Sequence, residues 1–335
     1  MDQIFYDAQR QGRISFYMTS YGEEAETVGS AAALHPDDMV FAQYRETGVF
    51  LWRGFTLSQF ANQCFSNEFD IGKGRQMPMH FGSSKLNIQT ISSPLATQIP
   101  QASGAAYAYK RAKKNNVVVC YFGEGAASEG DFHAALNSAA TLGCPVVFIC
   151  RNNGYAISTP TTSQYHGDGI ASRAIGYGMH YVRVDGNDIL AVMDATRAAR
   201  KTSIENNVPV LVELMSYRAG HHSTSDDSTR YRSSKEIQYW LETNNPITRT
   251  RFFLESKGWW DSDQEAELLL ACRKDVLAAF NVAEHVHKPP LSALFTDVYS
   301  DVPPLLKRQK QELEEHLAEY HDKYDVSLFA ETKKA

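Results

Sequence analysis

The feature that most narrows the fold is a pair of apolar runs with a helix-like stretch between them. Residues 117–122 read Val-Val-Val-Cys-Tyr-Phe and end on Gly123-Glu124-Gly125. Residues 129–142 carry a helical pattern, and residues 145–150 are apolar again and lead to Asn152-Asn153. Unbroken apolar strands joined by a helix imply a right-handed βαβ unit in a parallel sheet. Its two strand tips carry an acid and carboxamides, and ligands of open α/β sheets bind outside such tips. One carboxylate and one carboxamide oxygen suit Mg²⁺, which takes its remaining ligands from phosphate and water. The glycines let backbone N–H groups approach a diphosphate, and the helix start at Ser128-Glu129 offers a positive dipole end. Gly123-Glu124-Gly125 alone serves equally well as a plain turn. With the Asn pair at the matching tip, a Mg²⁺–diphosphate site is the better reading. A dinucleotide fingerprint fits less well, because its third glycine falls on Ser128 and the next strand lacks a terminal acid.

The rest of the chain extends the same alternation. Strands are expected at 39–41, 179–184 and 208–215, and helices at 22–34, 56–65 with Thr56 as N-cap, 98–114 and 188–205. The 98–114 helix is rich in alanine and suited to close packing. The expected fold is α/β, a parallel sheet flanked by helices on both faces. Residues 217–234 form a long polar loop of the kind that is usually functional or mobile. Helices follow at 234–241, 247–256, 263–287 and 303–320. No domain boundary precedes them, so 1–335 reads as one domain with a helical extension from about 235 to 335. The net charge of −6 and the lack of a Lys/Arg cluster exclude a nucleic-acid partner. No apolar run approaches the 18 or so residues of a membrane span, and Met1 to Phe5 reads as neither signal nor transit peptide. Five cysteines without C-x-x-C spacing read as buried free thiols in a reducing compartment.

Three further constellations carry chemistry. Arg45, in Gln43-Tyr44-Arg45 after the first strand, has the geometry to clamp phosphate, although an ordinary surface arginine is the better reading of those residues alone. Ser92-Ser93-Pro94-Leu95-Ala96-Thr97-Gln98 reads best as an N-cap region with proline near the first helical turn. Its oxygens would also suit a hard cation. His221-His222-Ser223-Thr224-Ser225-Asp226-Asp227 is the most reactive-looking loop, since histidine exchanges protons near neutral pH. A solvated loop histidine is the better reading in isolation, and zinc lacks third and fourth ligands at suitable spacing.

Together these motifs resemble those of a known family. Gly123-Glu124-Gly125 with the trailing Asn152-Asn153 resembles the thiamine diphosphate signature, usually Gly-Asp-Gly, with Glu124 in place of Asp. With Ala126 to Asp131 and Cys150 to Pro160, the chain resembles, over nearly its whole length, the α subunits of branched-chain 2-oxoacid dehydrogenase E1 components. Pyruvate-specific relatives usually carry Glu before Asn-Asn, where this chain has Arg151. The resemblance implies thiamine diphosphate-dependent decarboxylation of branched-chain 2-oxo acids and acyl transfer to a lipoyl group on an E2 acyltransferase; a pyruvate- or acetoin-type α subunit is the alternative. It implies Mg²⁺ ligands Glu124, Asn153 and, by its carbonyl, Tyr155. It implies coenzyme contacts from Tyr44, Arg45, Ser93, Gly123, Gly125, Ala126, Arg151 and His222, with His222 assisting catalysis. It implies K⁺ ligands Ser92, Pro94, Thr97 and Gln98. Ser223 and Ser233 match phosphorylation sites, which implies a regulatory kinase and phosphatase. The sequence shows no second α/β half to hold the carboxylate that activates the coenzyme, so an E1 β subunit in an α₂β₂ heterotetramer is expected. Eukaryotic members carry an N-terminal extension with a transit peptide that would precede Met1. Ser228 after Asp226-Asp227, with Tyr231-Arg232-Ser233, resembles the eukaryotic form, which implies the mitochondrial matrix; the bacterial cytoplasm is the alternative for a prokaryotic source.

Overall fold

The apolar runs become strands because their side chains find cover on both faces. The structure, a computed structural model, describes residues 1–331. In chain order its elements are α1 (Asp2–Arg10), α2 (Glu24–Ala32), β1 (Met39–Phe41), α3 (Thr47–Trp52), α4 (Leu57–Phe65), β2 (Ile88–Gln89), α5 (Gln98–Arg111), β3 (Val118–Gly123), α6 (Gly130–Leu142) and β4 (Val146–Asn152). There follow β5 (Tyr155–Ala156), β6 (Thr159–Pro160), α7 (Thr161–Gln164), β7 (His180–Asp185), α8 (Ile189–Asn206), β8 (Val210–Met215), α9 (Ser234–Thr243), α10 (Pro246–Ser256), α11 (Ser262–Glu284) and α12 (Pro304–Glu319).

Six strands form one parallel sheet in the order β2-β1-β3-β4-β8-β7, and β5 and β6 make a separate two-residue hairpin. Side chains of β3 alternate between the two faces. Val119 and Tyr121 join a core with Phe50, Phe60, Phe81 and Phe280, while Val118, Cys120 and Phe122 join one with Ile99, Ala102, Phe132 and Phe148. The chain leaves β1 toward β2 on one side and returns to β3 on the other. That reversal opens a crevice at the carboxyl ends of β1 and β3, where such sheets bind ligands. The β3–β4 register sets Gly123 beside Arg151, and the β4–β8 register sets Asn152 beside Met215.

Several local expectations meet the structure directly. Thr56 caps α4 in a full capping box: its Oγ1 accepts from Gln59 N at 3.2 Å, and Gln59 Oε1 accepts from Thr56 N at 2.8 Å. The small residues of α5 let it press on α6, so closely that Ser103 Oγ donates to the Ala135 carbonyl at 3.3 Å. The segment 92–97 differs from expectation. Helix α5 starts at Gln98 with Thr97 as N-cap, no side chain there accepts a capping bond, and Pro94 lies ahead of the first turn. The sequence pattern also missed α1, α3, β2 and the β5–β6 hairpin. Cys64, Cys120, Cys144 and Cys150 are buried free thiols, whereas Cys272 is exposed on α11. That helix is nonetheless tied to the core: Phe280 stands edge-on to Phe65, with ring centroids 4.9 Å apart, and to Phe5 at 5.2 Å. No helix among the described residues is long and apolar enough to cross a membrane.

Candidate active site

Parallel strands point their carboxyl ends the same way, so the segments after β1, β3 and β4 converge. Tyr44, Arg45, Gly123, Glu124, Gly125, Ala126, Arg151, Asn153, Tyr155 and His222 line one pocket, along with Gln43, Leu95, Ile157 and Arg218. Backbone hydrogen bonds fix its floor. Gly123 N donates to Gln43 Oε1 at 2.9 Å, and Glu124 N donates to the Arg151 carbonyl at 3.1 Å. The two glycines have different reasons. A Cβ on Gly125 would stand 2.8 Å from Ala156 Cβ, so the hairpin demands its absence. A Cβ on Gly123 would meet no protein atom closer than 4.0 Å and would fill pocket space instead.

Buried charge dominates the interior. Glu23, fully buried at the start of α2, accepts from Arg151 Nη1 at 3.0 Å and from Asn153 Nδ2 at 2.8 Å. Its other oxygen lies 3.9 Å from Arg45 Nε. Burial opposes its charge, but Arg151 and Arg45 outweigh that and hold its carboxyl below the ordinary range. Arg151 Nε also donates to Glu46, whose other oxygen accepts from Gln43 N at 2.5 Å. Two carboxylates therefore engage Arg151, and Nη2 is the nitrogen left to face a ligand. Sequence reasoning missed Glu23 and Glu46. An i, i+1 pair of glutamates at the head of a helix reads as dipole complement, and nothing local announces that Glu23 turns inward.

Glu124 fits a cation. Its Oε1 is buried without a hydrogen-bond partner, and burial raises its carboxyl above the usual range. A positive ion would reverse that cost. Asn153 Oδ1 accepts from Tyr155 N at 3.1 Å and keeps a second lone pair. The Tyr155 carbonyl has only a long contact, 3.4 Å, from Arg218 Nη1. No group of three or more His, Cys, Asp and Glu side chains among the described residues is placed to hold a metal alone. The donors present, one carboxylate, one carboxamide and one carbonyl, fit a hard cation such as Mg²⁺ that would take its remaining ligands from phosphate and water.

His222 comes in from the loop after β8. Arg45 Nη2 donates to its carbonyl at 2.6 Å and lies 3.0 Å from its Nδ1. Arginine has no acceptor, so Nδ1 accepts and the ring proton sits on Nε2. Burial, then Arg45 and Arg218, push the imidazole down to about 3. The residue is therefore neutral at pH 7 and presents an N–H, unlike the freely titrating histidine that loop composition suggests. Asp226 holds the loop closed: its Oδ2 accepts from His222 N at 2.7 Å and from Tyr231 OH at 2.6 Å.

Ser223 and Ser233 lie on the same loop outside the pocket lining, and Ser233 Oγ caps α9 by accepting from Glu236 N at 3.1 Å. Ser92, Pro94 and Thr97 form a separate cluster of oxygens. Thr97 Oγ1 lies 3.3 Å from both Ser92 Oγ and the Pro94 carbonyl, and Ala96 between them has φ +67°. Gln98 spends its Nε2 on the Tyr121 carbonyl at 3.0 Å, which leaves Oε1 available. Ser93 does not line the pocket; its hydroxyl meets Nε2 of the buried His80 at 2.6 Å.

Residues 1–292 match the family described as Dehydrogenase E1 component. The chain belongs to this family. Among E1 components it is 59% identical over 334 residues to the 2-oxoisovalerate dehydrogenase subunit alpha, mitochondrial, of Dictyostelium discoideum, covering 99% of this chain and 76% of that one. It is 57% identical over 329 residues to the protein of that name in Homo sapiens, covering 98% and 74%. A third E1 relative, 2-oxoisovalerate dehydrogenase subunit alpha 1, mitochondrial, of Arabidopsis thaliana, is 57% identical over 315 residues, covering 94% and 67%.

Proposed function

We propose that this chain is the α subunit of the E1 component that decarboxylates branched-chain 2-oxo acids and passes the acyl unit to the lipoyl group of an E2 acyltransferase. The observation that carries the reading is the buried, unpartnered oxygen of Glu124 at the meeting of two strand tips, in a chain so similar to 2-oxoisovalerate dehydrogenase α subunits. Thiamine diphosphate, when bound, supplies the carbanion chemistry that decarboxylation needs. Mg²⁺ would be held by Glu124, Asn153 and the Tyr155 carbonyl. The diphosphate would be met by Arg45, by Nη2 of Arg151, by Tyr44 and by backbone N–H groups at Gly125 and Ala126. Gly123 leaves the space beside them. Leu95 and Ile157 offer apolar walls at the mouth. His222 presents Nε2–H to the reacting end, a donor that stays neutral in the field of two arginines. Ser93, which the structure ties to His80, would touch the coenzyme only by family resemblance, and Ser92, Pro94, Thr97 and Gln98 would hold K⁺.

Arg151 favours the branched-chain assignment over a pyruvate-type one. A glutamate in its place would face Glu23 and Glu46 in the same buried cluster, three carboxylates with too little positive charge among them. The carboxylate that activates the coenzyme comes from an E1 β subunit, in an α₂β₂ assembly housed in the mitochondrial matrix. The chain is a single coenzyme-binding domain with a helical extension. Phosphorylation of Ser223 by a dedicated kinase places about −1.5 to −2 charges beside His222 and the diphosphate site. That loosens the loop, and a phosphatase restores it; Ser233 is the second such site.

The test is reconstitution with the β subunit. The heterotetramer should turn over 3-methyl-2-oxobutanoate with a kcat/KM far above that for pyruvate. The α chain alone should give no turnover, and E124A should abolish Mg²⁺-dependent coenzyme binding. Turnover by the isolated chain, a preference for pyruvate, or undiminished binding in E124A would each overturn the reading.

A further inference from the structure

Helix α9 reaches the proposed metal turn through one side chain. Glu236, half-buried on its first turn, accepts at Oε1 from the Tyr155 hydroxyl and from the Tyr217 hydroxyl, each at 3.0 Å. Both rings are held from other sides. The Arg232 guanidinium lies 5.5 Å from the centroid of Tyr155 and 5.1 Å from that of Tyr217. Tyr217 stacks on Trp240, with centroids 5.1 Å apart and planes 5° from parallel. The Ser233 hydroxyl caps the backbone N–H of Glu236 itself. A chain of contacts thus runs from the end of the polar loop, through α9, to Tyr155.

The turn needs such a hold. Gly154 takes a left-handed φ of +87°, and β5 beyond it is only two residues long. A carbonyl or carboxamide can serve a small octahedral cation only if its peptide plane is fixed. Asn153 is fixed by Glu23 on one side, and Tyr155 N fixes its Oδ1 on the other. The Tyr155 side chain links the turn to α9, because its hydroxyl ends on Glu236.

We propose that Glu236 is a positioning residue for the divalent cation: by gripping the Tyr155 hydroxyl it sets the Asn153–Tyr155 turn and ties the 217–233 loop to it. This rests on the Mg²⁺–diphosphate reading above. Glu236 does not line the pocket of Glu124 and Arg151, so its removal should weaken metal binding and leave the chemistry intact once metal saturates. A carboxylate there only to satisfy two hydroxyls would leave the metal requirement alone.

The experiment titrates Mg²⁺ into the α–β heterotetramer at fixed thiamine diphosphate and follows coenzyme binding by calorimetry and turnover in parallel. E236A should raise the half-saturating Mg²⁺ concentration by about tenfold, the lower end of what outer partners of metal ligands contribute, with kcat at saturating Mg²⁺ unchanged. E236Q keeps an oxygen that accepts from both hydroxyls and should stay close to the parent. Y155F should raise the half-saturating Mg²⁺ concentration by the same factor, and the double variant should need no more Mg²⁺ than either single one. If E236A fails to assemble, Y155F carries the test alone, because it removes the hydroxyl that Glu236 grips. An unchanged Mg²⁺ requirement in E236A and Y155F, or penalties that multiply in the double variant, would refute the role of Glu236. Failure of the parent heterotetramer to bind coenzyme with Mg²⁺ would instead remove the site reading, and this inference with it.

Discussion

His222 shows how far one side chain can depart from its composition-based reading. Its imidazole sits at about 3 because burial, Arg45 and Arg218 all disfavour the charged form. An unfolded histidine titrates near 6.5. Below that pH the opened loop takes a proton that the closed loop refuses, so closure is fully stable above about 6.5 and weakens as pH falls toward 3. Proteolysis within 217–233 should therefore accelerate as pH drops from 6.5 to 4, and H222Q should flatten that dependence. A parent loop equally resistant across this range would contradict the assignment. The residues legible in sequence were those with local punctuation: Gly123-Glu124-Gly125 and Asn152-Asn153 sit at strand tips that apolar runs announce. Glu23 and Arg218 were not legible, because their importance comes from burial against residues that are distant in the chain. Arg45 and His222 drew notice from their residue types, but the plainer reading of each held until the family resemblance reversed it. Sequence shows neither that Arg45 is buried nor that it holds His222 by both backbone and ring.

At the scale of elements, the β3 tip and the β5–β6 hairpin share one constraint. Gly125 admits the hairpin by lacking a side chain, whereas Gly123 keeps pocket space clear. The two alanine variants should therefore separate packing from binding. G125A forces Ala156 aside and should lower stability by about 1–3 kcal/mol, as overpacking does, and should weaken Mg²⁺ binding through neighbouring Tyr155. G123A should melt with the parent but bind thiamine diphosphate less tightly. Thermal unfolding with coenzyme titration checks both, and equal melting of all three proteins would contradict the contact. The same scale explains which elements sequence could forecast. The buried strands β3, β4 and β8 and the helices α5, α6 and α8 have long, unambiguous patterns. The two-residue strands β2, β5 and β6 carry too few side chains to make a period. Their pairing is fixed by neighbours, as when the Asn87 carbonyl accepts from Val40 N of β1 at 2.8 Å while Ser83 and Ile88 exchange two backbone hydrogen bonds at 2.9 Å. Segment 92–97 misled because Ser-Ser-Pro imitates a helix start, while Ala96 at positive φ turns the chain once more before α5 begins.

Over the whole molecule, two apolar cores clamp one sheet, and the charged cluster lies at its carboxyl edge. Glu124 leaves that cluster with a buried oxygen in want of a partner, a deficit of about 1–3 kcal/mol. On the proposed reading, the ion and diphosphate that would meet it bind the folded chain and not the unfolded one. At a hundred times its dissociation constant such a ligand adds about 2.7 kcal/mol to stability. Melting temperature should therefore climb with the logarithm of thiamine diphosphate concentration when Mg²⁺ is present and stay level in E124A; a parent curve indifferent to coenzyme would exclude the linkage. On that linkage, scarcity of the vitamin would act twice, slowing each copy of the protein and also shortening how long that copy stays folded.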